Sequence, residues 1–215
     1  MTEKIFYEDP YKKEIDSIIV DIVDNKVILD KTIFYPQAAG EPGDTGFIEN
    51  YKVIDTQKQG DTIFHILEQK PNLKKGQKVK CRINWERRYR LMKMHTASHL
   101  LLNVCQLIFG KNIRVTGSNI DEHKSRIDLD YKPLIDQEKR QELENKCNEF
   151  IKKNLEMKIW WDPERIGYRW TKIDDLNQIP CGGLHIKNLG EIKKFRIIRR
   201  LSKGKGKQRL EFEAI

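Results

Sequence analysis

No stretch of this 215-residue sequence approaches the ~18 uninterrupted apolar residues that cross a bilayer, so no membrane-spanning helix and no membrane partner is expected. The start, Met1-Thr2-Glu3-Lys4-Ile5-Phe6, lacks the apolar core of a secretory signal. Cysteine is scarce. Cys81, Cys105, Cys147 and Cys181 are scattered and mostly sit in apolar patterns, which argues against a disulfide scaffold and for a reducing, cytoplasmic compartment. No internal repeat is visible.

What is abundant is charge. Lysine and arginine number 41 against 32 aspartate and glutamate, a net charge of +9. A basic surface of this size suits a polyanion such as nucleic acid, although solubility alone is served by the same excess. Arg87, Arg88 and Arg90 form one basic cluster. Lys193, Lys194, Arg196, Arg199, Arg200, Lys203, Lys205 and Lys207 form another.

The hydrophobic pattern changes period along the chain. Residues 14–35 alternate apolar and polar around Asp24-Asn25, and residues 51–67 do so around Gln59-Gly60-Asp61, as hairpins do. Val79, Cys81, Ile83 and Trp85 alternate with polar neighbours as a strand. Between these lies a loop rich in glycine and proline, from Phe34 to Gly46. Residues 1–86 are therefore expected to form a small β-barrel domain. From Glu86 to Phe109 the period becomes helical, with Leu91, Met94, Leu101, Val104, Leu107 and Ile108 on the apolar positions and Gly110 as the stop. Strands are expected at 113–120 and 126–131. Asp136 is placed to cap a helix reaching about Asn154, with Leu143, Cys147, Phe150, Ile151 and Leu155 inward. A strand at Met157–Trp161, a short helix or turn at Pro163–Trp170, and a hairpin of 192–200 with 208–214 complete an α+β domain, 87–215, with helices packed on an antiparallel sheet.

Two clusters carry chemistry. His95 and His99 are one helical turn apart and project from one face, close enough to grip one ion. Pro180-Cys181-Gly182-Gly183-Leu184-His185 offers two further ligands in a loop whose glycines permit close approach. Three nitrogens and one sulfur suit Zn²⁺, one per chain. Thr96 stands where a zinc peptidase would carry its glutamate base, and the two pairs are too far apart for a zinc finger. If all four bind at once the ion is structural; a catalytic role needs one displaced or a fifth position.

These motifs resemble the editing domain of alanyl-tRNA synthetase and its free-standing relatives, the AlaX proteins. His95-Thr96-Ala97-Ser98-His99 is similar to the family's His-x-x-x-His helix, and Cys181-Gly182-Gly183-Leu184-His185 to its Cys-x-x-x-His loop. Phe34-Tyr35-Pro36 through Gly46 is similar to its glycine-rich segment, with Ala38-Ala39 where glycines are frequent. Thr116-Gly117-Ser118 and Arg126-Ile127-Asp128 resemble further family positions. The resemblance implies the medium-length form: a barrel followed by a zinc-binding tRNA editing domain, without an aminoacylation domain. It implies hydrolysis of mischarged alanine tRNA, chiefly seryl and secondarily glycyl, with zinc at His95, His99, Cys181 and His185 and the acceptor end of tRNA(Ala) as partner. A monomer is expected. Thr116 is the position that resemblance assigns to recognition of the serine hydroxyl. Seryl-tRNA(Thr) hydrolysis and a non-catalytic, zinc-stabilised RNA-binding module are the competing readings.

Overall fold

The computed structural model describes residues 2–204 and 206–215. It divides into two compact units, the first ending at Tyr89 and the second being Arg90–Ile215. The division falls inside a helix rather than at the 86/87 boundary expected from the sequence.

The first unit contains β1 (Glu3–Lys4), α1 (Ile5–Glu8), β2 (Glu14–Val23), β3 (Lys26–Leu29), β4 (Lys31–Thr32), β5 (Gly46–Ile48), β6 (Tyr51–Gln59), β7 (Thr62–Leu67) and β8 (Lys78–Ile83). β1 and β4 form a short parallel pair. The others pair antiparallel in the order β2-β3-β7-β6-β5-β8, and β8 returns to β2, so the ring closes as a barrel. Asp24 with φ 54° and Gly60 with φ 57° make the two turns anticipated between β2 and β3 and between β6 and β7. Alternation sets what lies inside: Ile19, Val27, Leu29, Ile48, Val53, Leu67, Val79, Cys81 and Ile83 are buried together. Fully burying each such aliphatic contributes about 1.5–3 kcal/mol.

The glycine-rich segment folds back on itself within this unit. Ala38 and Glu41 exchange backbone hydrogen bonds of 3.1 and 2.8 Å around Ala39 (φ 52°) and Gly40 (φ 76°). Two consecutive left-handed residues are the signature of a type I′ turn. Ala39 thus holds a backbone conformation that glycine adopts without steric cost. At Gly43 a Cβ would overlap the carbonyl of Thr56. The segment is anchored from below. Arg88 is completely buried, pairs with Asp44, and donates to the carbonyls of Pro10 (3.0 Å) and Ile33. Asp44 in turn accepts from the backbone N–H of Tyr35 at 2.6 Å.

The helix α2 (Trp85–Phe109) follows. It begins with Trp85, which the alternation of β8 had assigned to a strand. Every residue from Met94 to Leu101 is buried, so this is a central helix, not a one-sided one. Leu107 departs from the expected inward set and is 58 % exposed, on the open side of a turn whose Phe109 stacks on Tyr131 at 4.8 Å. Gly110, at φ 114°, ends the helix as anticipated.

The remaining elements are β9 (Val115–Asn119), β10 (Ser125–Asp130), α3 (Gln137–Lys152), β11 (Met157–Trp161), β12 (Arg169–Ile173), β13 (Ile179–Pro180), a 3-10 turn (Leu189–Glu191), β14 (Phe195–Ser202) and β15 (Lys207–Ala214). One antiparallel sheet has the order β14-β15-β10-β9, the other β11-β12-β13. Asp136 caps α3 by accepting from the N–H of Lys139, a contact of about 1 kcal/mol. Leu143, Cys147 and Ile151 face inward, whereas Phe150 and Leu155 are only half-buried. Asn148 of α3 binds both backbone groups of Phe195, fixing the helix on β14. α2 reaches the same sheet where Ala214 N–H meets the Met94 sulfur at 3.2 Å. Of the short helix or turn expected at Pro163–Trp170 the structure has the turn, closed by Tyr168 N–H on the Arg165 carbonyl at 3.1 Å. Its last two residues, Arg169 and Trp170, already belong to β12, a strand the sequence pattern did not disclose.

Candidate metal centre

Helical spacing sets His95 and His99 on one face of α2, with ring centroids 5.3 Å apart. β13 ends at Pro180, and the loop after it returns Cys181 and His185 to that face. The His185 ring lies 4.6 Å from each of the other two rings. Cys181 Sγ is 3.4 Å from Nε2 of His95 and 3.4 Å from Nε2 of His185. One donor atom from each of the four residues falls within a 4.8 Å span.

A tetrahedral zinc with Zn–N near 2.0–2.1 Å and Zn–S near 2.3 Å separates its donors by about 3.4–3.6 Å. The observed sulfur–nitrogen distances match that spacing, so the four residues fit such an ion and could hold it. All four are buried. Cys181 at 9 % and His99 at 8 % retain the most exposure, against 3 % for His95 and 1 % for His185, which sets the solvent side of the cluster at Cys181 and His99.

Two threonines aim the rings. Thr171 Oγ1 donates to the carbonyl of Ile179 at 3.0 Å, so its lone pair is what meets His99 Nδ1 at 3.2 Å. His99 therefore donates from Nδ1 and keeps an unprotonated Nε2. Thr96 Oγ1 lies 3.1 Å from His185 Nδ1 and accepts from the N–H of Ile186 at 3.2 Å. Were Nε2 of His185 to ligate an ion, its Nδ1 would carry the proton and Thr96 Oγ1 would accept it. Hydroxyl partners of this kind fix the tautomer of metal-ligating histidines. Thr96, noted in the sequence only as a missing glutamate, stands where it could do this for His185. Thr171 escaped notice because its strand did; a Thr-x-Ile alternation after Arg169-Trp170 was the available signal. Gly183 contributes its backbone: its N–H points at Cys181 Sγ (3.3 Å), and its carbonyl accepts from Arg169 Nη2 (2.9 Å).

The electrostatics separate this cysteine from the other three. Burial pushes the thiols of Cys81, Cys105 and Cys147 up, to about 12 for Cys81. Burial acts upward on Cys181 too, but His95, His99 and His185 beside it outweigh that and hold it well below the usual thiol range. Burial lowers His185 to about 3. Thiolate and neutral imidazole are the forms that ligate metals.

Thr116 is not part of the four-residue cluster. It lies on β9, the edge strand of its sheet, is exposed, and donates to the Asp128 carbonyl at 3.3 Å. The basic clusters are thinner than their composition. Arg88 is wholly committed to Asp44 inside the first unit and cannot meet a polyanion. Arg196 pairs with Glu213 (2.8 Å) and Arg199 with Glu211 (2.7 Å) across the β14–β15 hairpin. Arg90, Lys193, Lys194, Lys203 and Lys207 are exposed. Lys205 lies outside the described residues.

Residues 2–87 match the family described as tRNA synthetases class II (A), and residues 171–211 match the threonyl and alanyl tRNA synthetase second additional domain. The second match spans Thr171, Cys181 and His185. A barrel followed by a His-x-x-x-His helix and a Cys-x-x-x-His loop thus places the chain among the modules related to class II aminoacyl-tRNA synthetases. It is 38% identical to the alanyl-tRNA editing protein AlaX-M of Pyrococcus horikoshii, over 98% of this chain and 97% of that protein. It is 35% identical to the alanine–tRNA ligases of Sulfurisphaera tokodaii and Saccharolobus islandicus, over 99% of this chain but only 26% of each ligase. The chain belongs to the AlaX-M family of alanyl-tRNA editing proteins.

Proposed function

We propose that this protein is a trans-editing hydrolase that deacylates mischarged alanine tRNA, seryl-tRNA(Ala) and also glycyl-tRNA(Ala), at one zinc site per chain formed by His95, His99, Cys181 and His185. The observation that carries the reading is the convergence of these four donors in a chain that matches an alanyl-tRNA editing protein along 97% of that protein's length. Zinc held there supplies Lewis-acid polarisation of an ester carbonyl. The chain's own part is to hold and orient. Thr96 and Thr171 fix His185 and His99, and Gly183 N–H steadies the Cys181 sulfur. The cluster contains no carboxylate, so the proton of the attacking water passes to a group outside it, the hydroxyls of the substrate included. A small pocket excludes glycine and serine from alanine's place only weakly, which is why such errors need a hydrolase.

Serine is separated from alanine by one hydroxyl, and Thr116 is the residue we assign to bind it. The exposed lysines Lys193, Lys194, Lys203 and Lys207, with Arg90, hold the acceptor stem. The protein acts in the cytoplasm, as a monomer. Two other readings each rest on one observation. The second family description names threonyl as well as alanyl synthetases, which favours seryl-tRNA(Thr) as substrate. Four buried donors leave a tetrahedral ion saturated, which favours a zinc-stabilised RNA-binding module.

The test is hydrolysis by the purified protein of seryl-tRNA(Ala), glycyl-tRNA(Ala), alanyl-tRNA(Ala) and seryl-tRNA(Thr), with metal content measured on the same sample. Faster loss of serine from tRNA(Ala) than of alanine, and little action on seryl-tRNA(Thr), is the expected result. Zinc at about one per chain with no hydrolysis of any ester would leave the RNA-binding module.

A further inference from the structure

The small sheet beside the metal centre has a face that is buried at one strand and open at the next. Residues directly opposite in an antiparallel pair share a face. Trp161 is opposite Arg169, Ile159 opposite Thr171, and Met157 opposite Ile173. On β12 this face is buried and bound to the centre: Thr171 meets His99, and Arg169 donates to the Gly183 carbonyl inside the Cys181–His185 loop. On β11, the edge strand, the same face carries Ile159 at 38 % and Trp161 at 50 % exposure. The Arg169 guanidinium carbon is 5.6 Å from the centroid of the Trp161 ring. A continuous line therefore runs from an exposed indole through a buried guanidinium to the backbone of the ligand loop.

The other face of the sheet behaves differently. There Trp170 is half-buried, its Nε1–H bonds Asp162 at 2.8 Å, and Arg165 covers its ring at 5.2 Å. That arrangement is built to hold the bend at 162–168. Trp161 instead presents a large π-surface to water next to a positive charge, at the margin of the centre. Unpaired nucleotides are recognised by such rings: a base stacks on the open aromatic face, here stiffened from behind by the buried guanidinium.

We infer that Trp161, backed by Arg169, is the platform on which the unpaired 3′-terminal nucleobase of an acylated RNA stacks, so that the ester on its ribose is delivered to the metal centre. The inference rests on the aminoacyl-tRNA reading above and adds the binding residue for the terminal base. Stacking acts in the ground state and the transition state alike, so its loss raises KM and leaves kcat.

Two readouts on wild type, Trp161→Phe and Trp161→Ala test it. In the first, uncharged tRNA carries 2-aminopurine as its terminal base, whose fluorescence falls on stacking. Wild type and Trp161→Phe quench it, and Trp161→Ala does not. In the second, KM for seryl-tRNA(Ala) rises about tenfold in Trp161→Ala, while kcat stays within about twofold and Trp161→Phe recovers most of the loss. Metal content is the same in all three. Equal quenching in Trp161→Ala, or a fall in kcat with KM unchanged, overturns the inference. Absence of hydrolysis by wild type would instead strike the functional reading, and the quenching assay on uncharged RNA would still judge the platform by itself.

Discussion

Both units of this protein bury histidine against threonine, and the proton runs in opposite directions. In the barrel, His65 Nδ1 lies 2.9 Å from the Val27 carbonyl, which can only accept, so Nδ1 carries the hydrogen. Its Nε2 must then accept from Thr32, whose hydroxyl is 2.7 Å away. Thr32 also accepts from the N–H of Phe34 at 3.0 Å. Every polar atom of that ring is consumed, and the histidine is a cross-brace inside an apolar barrel. In the second unit Thr171, whose own hydrogen goes to the Ile179 carbonyl, takes the Nδ1 proton of His99 and leaves its Nε2 with a lone pair. Residue type and burial are alike in the two places. The direction of one hydroxyl distinguishes a ring that completes a core from a ring whose Nε2 could ligate an ion.

Four experiments break or sharpen this contrast. The largest effect is expected at the cluster. Cys181→Ala should drop zinc from about one per chain to a small fraction and lower seryl-tRNA(Ala) deacylation at least about 100-fold, with the circular dichroism of the fold retained. Undiminished zinc in that variant removes Cys181 from the site.

The next tests the barrel histidine by pH. Burial lowers His65 from 6.5 to about 4, so the unfolded chain takes up its proton first as pH falls. The stability this ring contributes is complete above pH 6.5 and is lost as pH falls from there towards 4. The window corresponds to roughly 3 kcal/mol. Denaturant unfolding of wild type and His65→Gln at several pH values measures it, and a parallel pH dependence in the two proteins would sink the account.

A crossed pair of substitutions comes third. Thr171→Val removes the acceptor for His99 Nδ1–H and should weaken zinc binding by about 10–100-fold. Thr32→Val should leave zinc affinity alone and destabilise the fold by roughly 1–3 kcal/mol, because His65 Nε2 and Phe34 N–H lose a buried partner. Chelator competition and thermal unfolding on both variants give the answer. Equal zinc loss in the two would erase the distinction drawn between them.

The smallest effect is expected at Thr116. Its exposure and long bond to Asp128 limit what its hydroxyl can contribute to about 1 kcal/mol. Thr116→Val should slow seryl-tRNA(Ala) hydrolysis about fivefold and barely change glycyl-tRNA(Ala) hydrolysis, since glycine has no side chain to bind. Equal losses on both substrates would give Thr116 a place in the wall and not in selection.

The sequence discloses the donors because their spacing is periodic: four residues apart on a helix, and four apart in a glycine-bearing loop. Barrel strands β2, β3, β6, β7 and β8 are equally plain, since a closed sheet with one wet face enforces alternation, whereas the three-residue β5 is too short to show it. What hides is of another kind. Arg88 reads as surface charge, and only the fold reveals the carboxylate and carbonyls that make its burial tolerable. β12 hides because Arg169 is an inward residue of it, so its alternation runs Arg-Trp-Thr-Lys-Ile and mixes both faces. With that strand, Thr171 and the cross-strand position of Trp161 are hidden too. Leu107 has the right period but lies on the open side of its turn. Patterns record which face a residue occupies; they do not record which polar partner waits for it.

The hydroxyl of Thr171 touches both His99 and the strand that leads into Cys181. Its partner on the helix is 72 residues away, and the pairs that join the ligand loop to the helix are 86 and 89 residues apart. Such contacts form only after long loops have closed, which makes them late events on the folding route. If the cluster takes up zinc, capture is expected to follow the formation of these contacts. Refolding without zinc should return the secondary structure at the full rate, and added ion should then bind in a separate, slower phase.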